Sequence, residues 1–248
     1  MKINKPSIKF IKANHKIPLK YWELNYKRFT STAKTPYEKL RAIFIDSLSA
    51  SGGPVKLDDK YKAVNDFLKS LAPLKSKSKI DFNNFCKCII GQKIIVGTDC
   101  RKALIIELWK AMKTFPQIGP KKAAMFIKNV MIFGENDIFT RFEQNDKKYL
   151  IVPVDRIVRS LSEKIFGMKL SNNAEDDEII QKKSEELFSG NPILLDDLWF
   201  WGHFSMKRGR IHKRCNRAIL ETDLTITEDF ITQYNLVYKL NKFIKILG

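Results

Sequence analysis

The stretch with the most chemical potential is Phe115-Pro116-Gln117-Ile118-Gly119-Pro120-Lys121-Lys122-Ala123. It reads as the junction of two helices, one ending near Thr114 and the next starting at about Pro120. A proline ring is tolerated there because a first-turn residue needs no amide hydrogen. Gly119 is expected in a tight turn where no side chain fits. Such a hairpin presents backbone N–H groups and a helix N-terminus outward, a seat for one DNA phosphate. A plain glycine-bearing corner between helices is the alternative. Further along, Pro153-Val154-Asp155-Arg156 starts another helix. Asp155 alone would be an ordinary N-cap. With Lys121 it forms a pair, an amine and a carboxylate with apolar neighbours that can face each other across a cleft.

The elements that must position this pair read as helices. Thr35-Pro36-Tyr37-Glu38 is a capping box, followed by an apolar stripe at Leu40, Ile43, Phe44 and Leu48. Ser51-Gly52-Gly53-Pro54 ends that helix. The next runs from about Asp58 to Leu71 with Tyr61, Val64, Phe67, Leu68 and Leu71 on one face, and the basic run Lys75–Lys79 reads as a solvated connector. Helices are expected over about Asp81–Gln92 and Thr98–Lys113. Strand-like alternation is confined to Tyr149–Val152. The fold class is therefore all-α, with about ten helices and short connections. Residues 1–34 read as a basic, poorly periodic N-terminal segment and 35–248 as the helical domain. Within that domain the hairpin spans 100–134, a surface insertion 135–148, the Asp155 helix 153–167 and an aromatic helix 194–205. The final helix, Tyr234 to Leu247, is amphipathic and packs.

These motifs resemble the helix-hairpin-helix DNA glycosylase superfamily, which includes endonuclease III and the 8-oxoguanine glycosylases. The family pattern is a Leu-Pro-Gly-Val-Gly-x-Lys-x-Ala hairpin followed by a Val-Asp helix start. Phe115 to Ala123 matches the first, with Lys121 at the nucleophile's position, and Val154-Asp155 matches the second. Two departures stand out: Gln117 replaces the first hairpin glycine, and the lysine-to-aspartate spacing is long. That spacing, with Leu195-Asp196-Asp197-Leu198-Trp199-Phe200-Trp201, is similar to the archaeal 8-oxoguanine enzymes. The iron–sulfur cysteines of endonuclease III are missing.

The resemblance implies two helical subdomains flanking a cleft, and base excision with an associated abasic-site lyase step, 8-oxoguanine being the leading expected base. The alternatives are another modified base (methylated, deaminated or hypermodified, as in foreign DNA) and a non-catalytic hairpin module that only grips phosphate. Excision passes through an oxocarbenium-like transition state, which a fixed carboxylate stabilises. The lysine attacks C1′ only when neutral, and burial or neighbouring cations favour that form. Lys122 is the competing nucleophile. An extruded base must be stacked and read at its edge. Phe126, Trp199 and Trp201 are the stacking candidates and Asp197, four residues before Trp201, the acceptor for purine N–H groups. Three adjacent aromatics cannot all face inward on one helix, so at least one should reach a surface. DNA contacts are expected at Gln117, Gly119, Lys122, Arg156, Lys207, Arg208 and Arg210.

Charge and composition fit this reading. Lysine plus arginine number 45 against 27 acids, a formal net charge of +18. Such a surplus attracts a polyanion. Nucleic acid is the first candidate, an anionic membrane surface the second, and lysines filling solvated helix faces the plain alternative. No apolar run approaches the ~20 residues of a membrane helix. Cys86, Cys88, Cys100 and Cys215 have no metal-type spacing, so no metal and no cofactor is expected. The expected partner is damaged or modified duplex DNA, bound by a monomer in the cytoplasm at the nucleoid.

Overall fold

Asn4 explains how the lysine-rich N-terminus becomes helical. Its side chain accepts the amide of Ser7 at 3.1 Å and Pro6 sits in the first turn, which starts α1, Lys5–Asn14. The computed structural model describes residues 3–50, 56–91, 100–135, 137–140, 144–171, 174–188, 190–207, 210–211 and 214–248. After α1 come α2 (Lys16–Thr30), α3 (Pro36–Ser49), α4 (Leu57–Ser70), α5 (Phe82–Ile90), α6 (Cys100–Met112) and α7 (Pro120–Phe133). The chain continues through α8 (Arg156–Phe166), α9 (Ala174–Leu187), α10 (Asp197–His203), α11 (Arg217–Thr222), α12 (Glu228–Tyr234) and α13 (Leu236–Leu247). The only strands among the described residues are a two-residue antiparallel ribbon, β1 (Met206–Lys207) with β2 (Arg210–Ile211). The class is all-α.

The chain divides into two compact units, Met1–Asn25 with Val154–Gly248, and Tyr26–Pro153. The second unit is built around phenylalanine. Phe44 of α3 and Phe67 of α4 stack in parallel at 4.0 Å, and Phe115 and Phe126 meet both edge-on. The capping box at Thr35 forms as the spacing predicts, each partner bonding the other's backbone. In the first unit Trp201 packs edge-on to Phe10 at 5.0 Å and against Phe243 of α13, whose apolar stripe is buried as expected.

Four expectations are corrected. The 1–34 segment is not aperiodic: Ser7, Phe10, Ile11, Ile17 and Tyr21 give it a buried helical face that its lysines obscure. The 135–148 stretch is not a plain surface insertion. Ile138 and Phe139 are buried, and Ile80 donates to the Ile138 carbonyl and accepts from the Thr140 amide. Buried Asp146 lies 3.7 Å from Arg101. Tyr149–Val152 forms no strand; it spans the end of a 3-10 turn, Gln144–Tyr149, and the start of an irregular link to α8. Tyr61, expected inward, is 65% exposed. The expected helix end at residues 51–54 and the flanks at Gln92 and Thr98 fall outside the described residues.

Candidate active site

The hairpin between α6 and α7 closes with a local economy of bonds. Thr114 and Phe115 donate to the carbonyls of Ala111 and Met112, and Ile118 donates to Phe115. Gln117 takes φ +63°, the left-handed conformation in which glycine is at home. The residue type departs from the glycine pattern, yet the backbone adopts the glycine shape. The strain, of order 1 kcal/mol, is offset in part by a bond from Gln117 Nε2 to Asp59 Oδ2 at 3.0 Å. Gly119 is the N-cap of α7 with φ −87°, an extended geometry open to any residue, and a Cβ there would meet nothing within 4 Å. The expectation that no side chain fits is therefore wrong. What glycine leaves is a bare helix start, exposed and without a side-chain cap. Trp109 of α6 braces it by donating Nε1–H to the Pro120 carbonyl at 3.1 Å, under the Lys113 ammonium at 3.6 Å from the ring.

Lys121 and Lys122, side by side in the first turn of α7, have different surroundings. Lys121 is half-buried and donates to the Ala50 carbonyl at 3.4 Å. Lys122 is only 8% exposed; burial, then the neighbouring charges of Lys60 and Lys121, pull its pKa below the ordinary lysine value. Two turns on, Lys128 is buried on the same face of α7 as Lys121. Near it, burial raises the Asp46 carboxyl above its usual range, against the charges of Arg28 and Lys128. Neither Lys128 nor Asp46 sits in a recognisable motif, although the seven-residue spacing from Lys121 places Lys128 on that face.

In the first unit, Asp155 is the N-cap of α8, its Oδ1 accepting the amides of Ile157 at 2.8 Å and Val158 at 2.9 Å. Arg156 beside it is exposed. Helix α10 lies against α8 at Gly202, where an added Cβ would sit 2.3 Å from Ile157 Cγ2 and 2.7 Å from Leu161 Cδ1. His203, next along, stacks on Trp199 at 4.5 Å. Burial lowers its pKa, while the charges of Asp223 and Asp155 act in the opposite direction.

The predicted base-reading residues divide. Helix phase required at least one of the three adjacent aromatics to reach a surface without saying which; it is Trp199, half-buried, while Phe200 and Trp201 are fully buried. Trp201 and Phe126 are core rings, which corrects their expected place in a base pocket: each is enclosed by phenylalanines within its own unit. Asp197 is also buried, with Oδ2 held 2.8 Å from Nδ1 of His15 at the α1–α2 junction. Burial works against the His15 proton, and the Asp197 bond and charge outweigh it, raising the pKa. His15 gave no sequence signal, because nothing in its spacing points to a partner 182 residues away.

Of the basic run, Arg208 lies outside the described residues, and for Lys207 and Arg210 the description covers only the backbone of the ribbon. A groove of about 500 Å³ on α1, lined by Lys5, Ile8, Lys9, Lys12 and Ala13, contains none of the predicted site residues. Among the described residues no group of three His, Cys, Asp or Glu side chains converges as a metal site, and no helix is long and apolar enough to cross a membrane. No protein-family model, curated protein or solved structure matches the chain.

Proposed function

We propose that the chain is a DNA N-glycosylase with abasic-site lyase activity, with Lys121 as nucleophile and Asp155 as the carboxylate that stabilises the developing positive charge. The observation that carries this reading is the hairpin. A non-glycine residue is held at φ +63° before an uncapped helix start that bears two adjacent lysines, one with a lowered pKa. Bare helix amides favour a phosphate, and the net charge of +18 favours the polyanion that carries it. In the proposed reaction a neutral amine bonds to C1′ as the N-glycosidic bond breaks; the base leaves with the electron pair and takes a proton. The ring-opened iminium then loses a 2′ proton, and the 3′ phosphate departs by β-elimination. The leading substrate is 8-oxoguanine in duplex DNA, and the acting species is a monomer in the cytoplasm, at the nucleoid.

A second reading concerns the nucleophile alone. The lowered pKa of Lys122 raises the neutral fraction of that amine, which favours it on chemical grounds. Lys121 keeps precedence here because it stands at the lysine position of the Gly-x-Lys-x-Ala register, two residues after Gly119 and two before Ala123.

The test is a panel of duplex oligonucleotides, each with one modified base, scored for abasic product with wild type and Asp155→Asn. Asparagine caps helices as well as aspartate, so the variant should fold and bind DNA normally while turnover falls by about 100-fold or more. Undiminished turnover in Asp155→Asn would reduce Asp155 to a helix cap.

A further inference from the structure

Helix α4 carries an apolar stripe, Leu57, Tyr61, Val64 and Leu68, whose N-terminal half is uncovered. Leu57 is 68% exposed and Tyr61 65%, among the most exposed large apolar side chains described. They lie four residues apart, one turn above the other on one face. The sequence around them, Lys56-Leu57-Asp58-Asp59-Lys60-Tyr61-Lys62, interleaves lysines with the two apolar residues. The acids are accounted for locally: both sit in the first turn, where the helix dipole favours negative charge, and Asp59 accepts from Gln117. The same two turns border the hairpin, through the Gln117–Asp59 bond and through Lys60, whose charge acts on Lys122.

We infer that the N-terminal tip of α4 is a second DNA-contacting element, in which Tyr61, supported by Leu57, stacks on an unpaired base. In a fully paired duplex the base faces are covered by their neighbours, so an exposed phenol ring has little to stack on. An unpaired base offers its π-face to any aromatic ring, regardless of sequence. The flanking lysines meet the backbone phosphates, and the hairpin fixes the strand alongside. This surface rests on the reading of the protein as DNA-binding and adds a preference to it: DNA with unpaired bases over perfectly paired DNA.

The experiment is fluorescence anisotropy of two labelled oligonucleotides, a fully paired duplex and the same duplex with a two-nucleotide bulge, against wild type, Tyr61→Ala, Tyr61→Phe and Leu57→Ser. Tyr61→Ala should bind the bulged DNA about 5- to 100-fold more weakly, with less than about a twofold change on the paired duplex. Tyr61→Phe should bind as wild type. Equal affinity of Tyr61→Ala and wild type for the bulge, or an equal loss on both DNAs, overturns the proposal. So does a change from dimer to monomer in sedimentation with DNA affinity intact, which would make the patch a self-association surface. The two readings separate cleanly. A selective loss on the bulge by a protein that excises no base leaves this surface standing without the glycosylase. Normal excision with no effect of Tyr61 does the reverse.

Discussion

His15 and Asp197 illustrate how a single residue can matter without any local sign of it. The imidazole is held 2.8 Å from a buried carboxylate, and its pKa is raised because the Asp197 bond outweighs burial. A raised pKa means the folded chain binds that proton more tightly than the unfolded one. The pair therefore stabilises fully below the ordinary histidine value of about 6.5 and loses its contribution as pH rises through the raised value. The melting-temperature gap between wild type and His15→Gln should be wide at about pH 5.5 and narrow at about pH 8. A gap that widens with pH would show that the neutral imidazole is the stabilising form. At this scale the sequence was informative for Asp155, whose N-cap position follows from Pro153 and the apolar phase after it. It could not reveal that Phe126 and Trp201 are enclosed, because helix phase places a ring on a face without saying what covers that face.

At the scale of elements, the α6–α7 hairpin was legible because its signals are local: a proline at a first turn, a glycine before it, and apolar spacing on both sides. The departure at Gln117 changed the residue and kept the left-handed backbone. The first two helices and the 135–148 stretch were misread because their order depends on partners distant in sequence, such as Ile80 pairing with Phe139. The close approach of α10 to α8 belongs with these. Gly202 looks like an ordinary glycine in an aromatic helix, and its lack of a side chain is what lets Ile157 and Leu161 reach it. Gly202→Ala would overpack that contact at a cost of about 1–3 kcal/mol, lowering the melting temperature by roughly 2–10 °C. Because α8 begins at Asp155, the same variant should lose activity beyond its loss of folded protein. An unchanged melting temperature would mean that α8 and α10 yield more easily than their packing suggests.

At the scale of the whole molecule, the all-α class followed from helical spacing beyond the first 34 residues and the near-absence of strand alternation, and the charge of +18 is a property of the sequence that no fold could hide. Two units were expected, but their bounds were not legible, because the first joins the opening 25 residues to the last 95 or so, and only packing makes that connection. It assigns Lys121 to one unit and Asp155 to the other. The reaction proposed for this protein needs both, and its least ambiguous product is a covalent one. Borohydride reduction during incubation with duplexes bearing single modified bases should trap a protein–DNA adduct with wild type and with Lys122→Gln, and none with Lys121→Gln. Trapping by Lys121→Gln at the wild-type level would contradict the account.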